Sequence, residues 1–486
     1  MYSESTMHPP KAYIRSSMLL LLAFATAFFP RILDTLGAPA AVNFLHFATV
    51  PLAFGWVIMQ PSGQNRTQLA SSKALLVGLG IFLATIAASA LVNNAGVINV
   101  ILEFILLAEP FMFLLALVWI PMAPQHLKRF QYWIFGFTVF HIALALAQWL
   151  LIEAGILRVS ARLGLPQDNI QGVFYVSGGG HVVGASVSIS YAIYYFISAK
   201  KAPTWLRFVV IFASMVQVLV AETKQVMFVC LVSAVLLVLV QLKDIRKTLQ
   251  YVIIIGIVVF GFLWCVQNVE AFRGYNTWAK PELYGPEGEA TVLKLSSIRI
   301  ILSYHESFWH TLFGLGPGHT VGRLGGWMLE RYGDLLKPFG ATVHPVSQQT
   351  WDVVWGTRLG PRSSMFSPFF GWAGIWGDLG IAGLGAFLFM CGIVWTQFCA
   401  DQFSKYLMIN ILLHGFIFTQ MEEPGYMLYM AVLIGLRWHE LRGVKIPQYS
   451  APPQPPQYPV FPKLPPPPPP PVKTRRVSVS RSSTPR

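Results

Sequence analysis

Charge is what this chain has little of. Only 12% of its 486 residues are Asp, Glu, Lys or Arg, while 54% are hydrophobic and mean hydropathy is +0.55. A soluble domain carries about 25% charged residues, so too few remain here to cover a folded surface in water. A water-soluble globular architecture is thereby excluded. Cysteine is scarce too. Cys230, Cys265, Cys391 and Cys399 lie in or beside apolar stretches and form no CxxC pair, which supports neither a zinc site nor a disulfide framework. They read as small buried hydrophobes. Acid disappears altogether after Glu440.

What is plentiful is apolar sequence in runs of roughly 17 to 25 residues, the length that crosses a bilayer. Segments near 16–30, 41–59, 74–92, 97–120, 131–151, 182–198, 206–221, 225–241, 251–267, 368–398, 405–420 and 425–437 predict an all-α integral membrane protein of about twelve transmembrane helices. Lys11 and Arg15 ahead of the first segment, with Ala25-Thr-Ala27 inside it, also fit a secretory signal. The eleven further spans favour a retained first helix.

The 35 Lys+Arg against 21 Asp+Glu would suggest a nucleic-acid partner if they were pooled on one surface, but their positions exclude it. Lys11/Arg15, Arg66/Lys73, Lys128/Arg129, Lys200/Lys201/Arg207, Lys243/Arg246/Lys247, Lys405 and Arg437/Arg442/Lys445 occupy alternate connections. The intervening connections are poor in base: Arg31 alone, nothing at 92–96, Arg158 and Arg162, Lys224, nothing at 421–425. Positive charge stays on the cytoplasmic side, so both termini are expected there.

Residues 268–367 break the rhythm as one long outward connection between the ninth and tenth spans. They hold Trp278, Trp309, Trp327, Trp351 and Trp355, four histidines (His305, His310, His319, His344), and nine Lys/Arg against eight Asp/Glu. Long ordered loops tend to carry function. Ile298, Ile301, Leu302, Phe308 and Leu312 recur at helical spacing, which predicts an amphipathic helix lying on the membrane between Leu295 and Phe313. The membrane domain is accordingly read as 1–441. Residues 442–486 form a disordered, basic, cytoplasmic tail with the run Pro465–Pro471, suited to extended polyproline structure. Its Lys473, Arg475, Arg476, Arg481 and Arg486 suit anionic lipid, and the prolines offer a docking site for a cytoplasmic partner.

Two sets of residues are equipped for chemistry. Glu103 and Glu109 stand inside the fourth apolar segment, where a carboxylate is expensive and usually functional or neutralised. Six residues apart, they point about 120° from one another and form no pair on one face. The second set lies on the outer side: Glu222-Thr-Lys224-Gln225 in a tight turn, Arg299, His305 and His310, the string Phe313-Gly-Leu-Gly-Pro-Gly318-His319, and His344. Ser177-Gly-Gly-Gly180-His181 marks the outer mouth of the sixth span. Gly314, Gly316 and Gly318 permit a sharp turn or a close approach of backbone amides to a ligand. Cations beside an outward cavity suit an anion, tryptophan faces suit sugar rings, and a histidine can accept a proton from an attacking hydroxyl.

With these strings in place the chain resembles the bacterial O-antigen ligase and O-antigen polymerase family, exopolysaccharide polymerases included. The resemblance rests on about twelve spans with the large loop between the ninth and tenth, on Arg299 followed by Leu312-Phe-Gly-Leu-Gly-Pro-Gly318, and on the glycine-rich stretch from Phe366 to Gly383. It implies a metal-independent glycosyltransferase without cofactor, GT-C-like in fold, in the bacterial cytoplasmic membrane. Its donor would be a glycan on undecaprenyl diphosphate and its acceptor a glycan or lipid-glycan, with membrane lipids around it. Arg299 matches the family's loop arginine, and Lys224 stands where the family commonly has another arginine; these two are the expected diphosphate-binding residues. In ligases a histidine precedes the glycine-rich stretch by about eleven residues, whereas here that zone reads Ser367-Pro-Phe369. The departure favours polymerase over ligase and leaves His344, His319 and Glu222 as candidate catalytic bases. The rival readings are a twelve-span transporter or lipid-glycan flippase using Glu103 and Glu109, whose expected two-half symmetry the late external loop spoils, and a scaffold acting through its proline tail.

Overall fold

The computed structural model describes residues 11–60, 66–159, 165–175, 178–240, 245–270, 272, 275–276, 280–362 and 365–442. Residues 1–10, Arg162, Ser177, Lys243, Trp278 and the proline-rich tail from 443 onward lie outside the described residues. Helix is the regular structure throughout, and no strand occurs among the described residues. The main helices are α1 (Lys11–Phe28), α2 (His46–Met59), α3 (Arg66–Asn93), α4 (Val97–Trp119), α5 (Pro124–Glu153), α6 (Gly180–Ser198), α7 (Thr204–Val220), α8 (Lys224–Val240) and α9 (Ile245–Asn268). The long connection contributes α10 (Glu289–Ser303), α11 (Phe308–Phe313) and α12 (Pro345–Gly356). After it come α13 (Gly371–Ile393), α14 (Gln402–His414) and α15 (Pro424–Arg442).

All twelve apolar segments are thus helical. Six stretches among the described residues are long and apolar enough to cross a membrane by length and composition: Ala40–Met59, Gln68–Asn93, Val97–Trp119, Pro124–Glu153, Gly180–Ser198 and Gly371–Phe398. Ser16–Phe28, Thr204–Val220, Lys224–Val240 and Val252–Asn268 are apolar but shorter. Side-chain burial separates the bundle's centre from its rim. In α2 the buried residues His46, Val50, Ala53 and Val57 form one stripe at helical spacing, while Leu52, Trp56 and Met59 stay exposed, as a helix with one protein face and one lipid face requires. In α4 and α15 burial runs all round, from Leu106 to Val118 and from Pro424 to His439. These two helices pack on each other, with α2 and α3 against α4, and make the core. Pro110 lies inside α4, where packed neighbours can compensate for the hydrogen bond it cannot make.

The connections sort into two ends. At one, Ser16 meets Gln60, Gln68 donates to the Val118 carbonyl, Gln131 to Glu440, Arg437 to Asp401 and Ser198, and Arg442 to the Gln397 carbonyl. At the other, the turn at 93–96 is tied to the long connection: Asn93 donates to the Gly314 carbonyl, and the Gly96 amide to Thr342. The same long connection is expected to continue its helix from Leu295 to Phe313, but it breaks at Tyr304–Ser307. There Ser307 caps α11 by accepting from the His310 amide. The inner face of α10, with Leu293 and Ile301, packs on Val346 and Val354 of α12 and on Phe369, Phe370 and Ala373. Its apolar residues therefore serve a protein core as much as an outer rim, where Leu295 and Leu302 remain exposed.

Two glycine-rich strings lock that connection to the bundle. Gly314, Gly316 and Gly318 all hold positive φ, as does Gly380 in the kink of α13 (φ 63°, ψ −161°). The Leu315 amide donates to the Gly377 carbonyl at 2.8 Å and the Gly316 amide to the Asp378 carbonyl at 3.0 Å. A Cβ on Gly314 would lie 2.5 Å from the Asp378 backbone, and one on Gly380 2.5 Å from the Gly314 nitrogen. Alanine at either position is expected to lower stability by more than about 2 kcal/mol, since the backbone is both strained and blocked. Gly385→Ala on the same helix meets nothing within 4 Å and should change stability by less than about 1 kcal/mol. Thermal unfolding of the three variants in detergent checks the contrast; equal behaviour would refute it.

Candidate functional site

The end of the bundle that carries the long connection encloses a cavity of about 870 Å³. Its wall draws on the turn after α1 (Arg31), the 165–168 segment, the first residues of α6, the α7–α8 turn, the long connection and the α14–α15 turn. Among the described residues four cations line it, Arg31, Lys224, Arg323 and Arg331, together with Asp168, Glu222, Glu330 and Glu423. Trp327, Trp351 and Trp355 supply flat aromatic surface, joined by Phe366, Phe369 and Phe418. A smaller cavity, lined by Trp395, Asp401, Lys405 and Arg442 among others, sits at the opposite end of α13.

Arg323 is the most firmly placed of the cations. Asp378 on α13 accepts the Thr320 amide at 2.6 Å, and Glu422 accepts the amide of Arg323 itself. Gly322 lies against Gly374, where a side chain on Gly374 would collide. The guanidinium pairs with Glu423 and stands 4.8 Å above the Trp327 ring, a cation–π contact. Arg323 is 8% exposed and Glu423 9%, so the pair is largely desolvated and each charge depends on the other. Burial pushes Arg31 below its ordinary pKa, with Arg323 and Arg331 repelling it and Glu423 attracting it; it remains a cation.

Of the residues that the sequence marks as a site, Lys224 and Glu222 line the cavity. Glu222 holds a positive φ of 49°, which folds the turn back so that its carboxylate accepts from Lys224 Nζ at 3.2 Å. Arg299 is exposed on α10 and lies outside the cavity. His319 and His344 also lie outside it, stacked on one another with ring centroids 5.7 Å apart. His319 Nδ1 sits 2.8 Å from the Leu315 carbonyl and Nε2 2.8 Å from Thr342 Oγ1. A carbonyl only accepts, so Nδ1 carries the proton and Nε2 accepts from threonine. His344 caps α12 by accepting from the Val346 amide. Glu109 pairs with His46 at 2.8 Å, whereas Glu103 neighbours Asp378 and Glu422; neither glutamate of α4 lines the cavity. The amides of Leu315 and Gly316 are spent on α13 instead of facing a ligand.

The sequence reading passed over Arg323, Arg331, Asp168 and Glu423, and treated Arg31 as a lone loop cation. A signal was present for one pair. Arg323 interrupts the apolar run Thr320-Val-Gly-Arg-Leu-Gly-Gly-Trp327, and Glu422-Glu423 are the acids of a turn that holds no cation.

Chemically, the arrangement can bind an anion through guanidinium forks, hold sugar rings on indole faces and accept a proton on a carboxylate. No family model matches the chain, and no curated protein matches it.

The stacked histidines make a pH prediction. Burial lowers His344 to about 4, with His319 and His310 adding to the effect, and burial lowers His319 as well. An unfolded histidine titrates near 6.5, so between about pH 6.5 and 4 the unfolded chain takes a proton that the folded chain refuses. Stability should therefore fall as pH falls through that window. In His344→Asn, which keeps a cap on α12, this part of the loss should vanish. Unfolding temperatures of wild type and variant across that range check it; a constant difference between them contradicts it.

Proposed function

We propose that this protein transfers glycan units from an undecaprenyl diphosphate carrier to an acceptor sugar outside the cytoplasmic membrane of a bacterium, as a polymerase in preference to a ligase. The observation that carries this reading is the cavity itself: the connections poorest in positive charge, those that topology assigns to the outer side, converge there around four cations and three tryptophans. In this reading all twelve apolar helices span the membrane, both termini are cytoplasmic, and the fold is of the GT-C kind.

The chemistry explains why a cavity facing away from the cytoplasm holds so much base. When the acceptor hydroxyl attacks the anomeric carbon, the bond to the diphosphate breaks and its electrons leave with the phosphate oxygen. Preplaced positive charge lowers the barrier by meeting that developing charge. Arg323 and Lys224 are suited to hold the leaving diphosphate, Arg31 to flank it, and Trp351 and Trp355 to seat sugar rings. Arg323 takes the role that the family resemblance gives to Arg299. The reading needs no metal, because cationic side chains suffice for a phosphate leaving group.

Surface glycan in a deletion strain complemented with wild type, Arg323→Ala, Lys224→Ala or Arg299→Ala tests it, at matched membrane abundance. Arg323→Ala is expected to lower polymer about 100-fold or more, Lys224→Ala about 10-fold, and Arg299→Ala less than two-fold. Single repeat units accumulating in the deletion strain support polymerase; full-length chains left on the carrier support ligase. Loss with Arg299→Ala and none with Arg323→Ala moves the site to α10. Unchanged glycans in the deletion strain overturn the reading. They would favour a proton-coupled transporter built on Glu103, Asp378 and Glu422, three buried carboxyls each with an oxygen that finds no partner among the described residues.

A further inference from the structure

Among the described residues four carboxylates line the cavity, and a glycan transfer needs one of them, or a histidine, to receive the proton of the attacking hydroxyl. Their surroundings separate them. Glu222 is held by Lys224 at 3.2 Å and Glu423 by the Arg323 guanidinium; a carboxylate beside a fixed cation is a weaker base. Glu330 is exposed at the rim. Asp168 differs from all three. It stands in the short 3-10 turn Pro166–Asn169, with its side chain 27% exposed and its Oδ1 3.4 Å from Nε2 of His181. His181 opens α6 from the Gly178-Gly-Gly180 turn and also lines the cavity. Gly180 packs so closely on the Phe174 carbonyl that a Cβ there would approach to 2.4 Å, and this contact fixes the histidine's place.

On the glycan-transfer reading, we infer that Asp168 is the proton acceptor of the reaction and that His181 is its positioning partner. The acceptor oxygen forms its bond to the anomeric carbon as the carbon–phosphate-oxygen bond breaks. The bonding pair departs on the diphosphate, and the hydroxyl proton passes to Asp168 Oδ. The remaining Asp168 oxygen is steadied by the Leu165 amide, which donates to Oδ2 at 3.3 Å. His181 Nε2 faces a carboxylate, so in the neutral ring it is the protonated nitrogen. Nδ1 is then an acceptor, buried without a partner among the described residues, so His181 turns a neutral N–H toward Asp168 at 3.4 Å without a fixed charge. Burial moreover raises Asp168 above its ordinary carboxylate range, and nearby Glu222 adds to the rise. A more basic carboxylate is a better proton acceptor at neutral pH.

Two measurements on the full chain test this. The first is binding of undecaprenyl diphosphate to purified protein in nanodiscs; the second is surface polymer in complemented cells at matched abundance. Asp168→Asn is expected to bind undecaprenyl diphosphate within about two-fold of wild type while polymer falls about 100-fold or more, and Asp168→Glu should recover part of the polymer. Near-normal polymer with Asp168→Asn overturns the assignment and leaves the glycan-transfer reading standing. Loss of diphosphate binding in that variant overturns it too, because Asp168 would then be a binding group. A wild-type protein that binds no undecaprenyl diphosphate overturns the underlying reading instead. Where Asp168→Asn fails to accumulate, His181→Gln carries the test: polymer down about 10-fold with binding retained supports the pair, and unchanged polymer refutes it.

Discussion

Everything at the cavity end of this molecule hangs on one backbone-to-backbone contact. The turn from Leu312 to Gly318 lies directly on the α13 kink at Gly377–Gly380, with no side chain between. Only glycine permits both the positive φ and the approach. Once the turn is seated, the next residues have little freedom. The Thr320 amide reaches the Asp378 carboxylate, Gly322 slides against Gly374, and the Arg323 amide finds Glu422. Arg323 then arrives at the cavity wall facing Glu423 and Trp327. The two glycine-rich strings are therefore not a ligand cradle. They are the joint that places the arginine.

That placement creates an electrostatic problem which the cavity solves internally. A guanidinium so thoroughly removed from water is tolerable only with a counter-charge, since leaving one partner of a buried pair alone costs about 3–5 kcal/mol. Glu423 supplies it for Arg323, and Glu222 does the same in the more exposed turn for Lys224. Two of the cavity's cations, Arg323 and Lys224, thus rest in neutralised form. On the proposed function, an entering diphosphate must compete with carboxylates for them, which favours a ligand that brings at least as much negative charge as it displaces. Weakly charged headgroups would not repay the broken pairs.

Sequence patterning reached the helices but only part of the site. Each apolar segment proved helical because in a chain this poor in charge the backbone must satisfy its own hydrogen bonds, and a helix does so within one segment. The burial stripe of α2 was legible for the same reason. Lys224 and Glu222 were legible as charges at a tight outer turn. Arg323 was not, because its importance comes from contacts between residues about a hundred positions apart, with Glu422 and Glu423. Arg299 shows the converse: it follows the expected spacing from the glycine string, yet it stands on the exterior of α10. Local strings identified the joint, and the pairing of outer connections decided which cation it served.

A cavity wall made partly from a long connection invites the idea that the connection lifts away to admit ligand. Lys294 argues against it. Its ammonium on α10 donates to the carbonyls of Met365, Ser367 and Ile417 at 3.3, 2.8 and 2.6 Å and lies 4.3 Å over the Phe370 ring. Met365 and Ser367 line the cavity, and Ile417 adjoins Phe418, which does too. One side chain therefore ties the long connection to the α14–α15 turn beneath it. Burial pulls Lys294 well below its ordinary pKa, but a neutral amine has two donors and cannot serve three carbonyls, so the full staple requires the ammonium form. Lifting the connection off that turn would strand the Ile417 carbonyl and take from Lys294 one of its three acceptors. The more exposed part of the wall is instead the ion pair of Lys224 with Glu222. On the proposed function, ligand entry is then a matter of exchanging carboxylates for the ligand's own charge within a fixed frame.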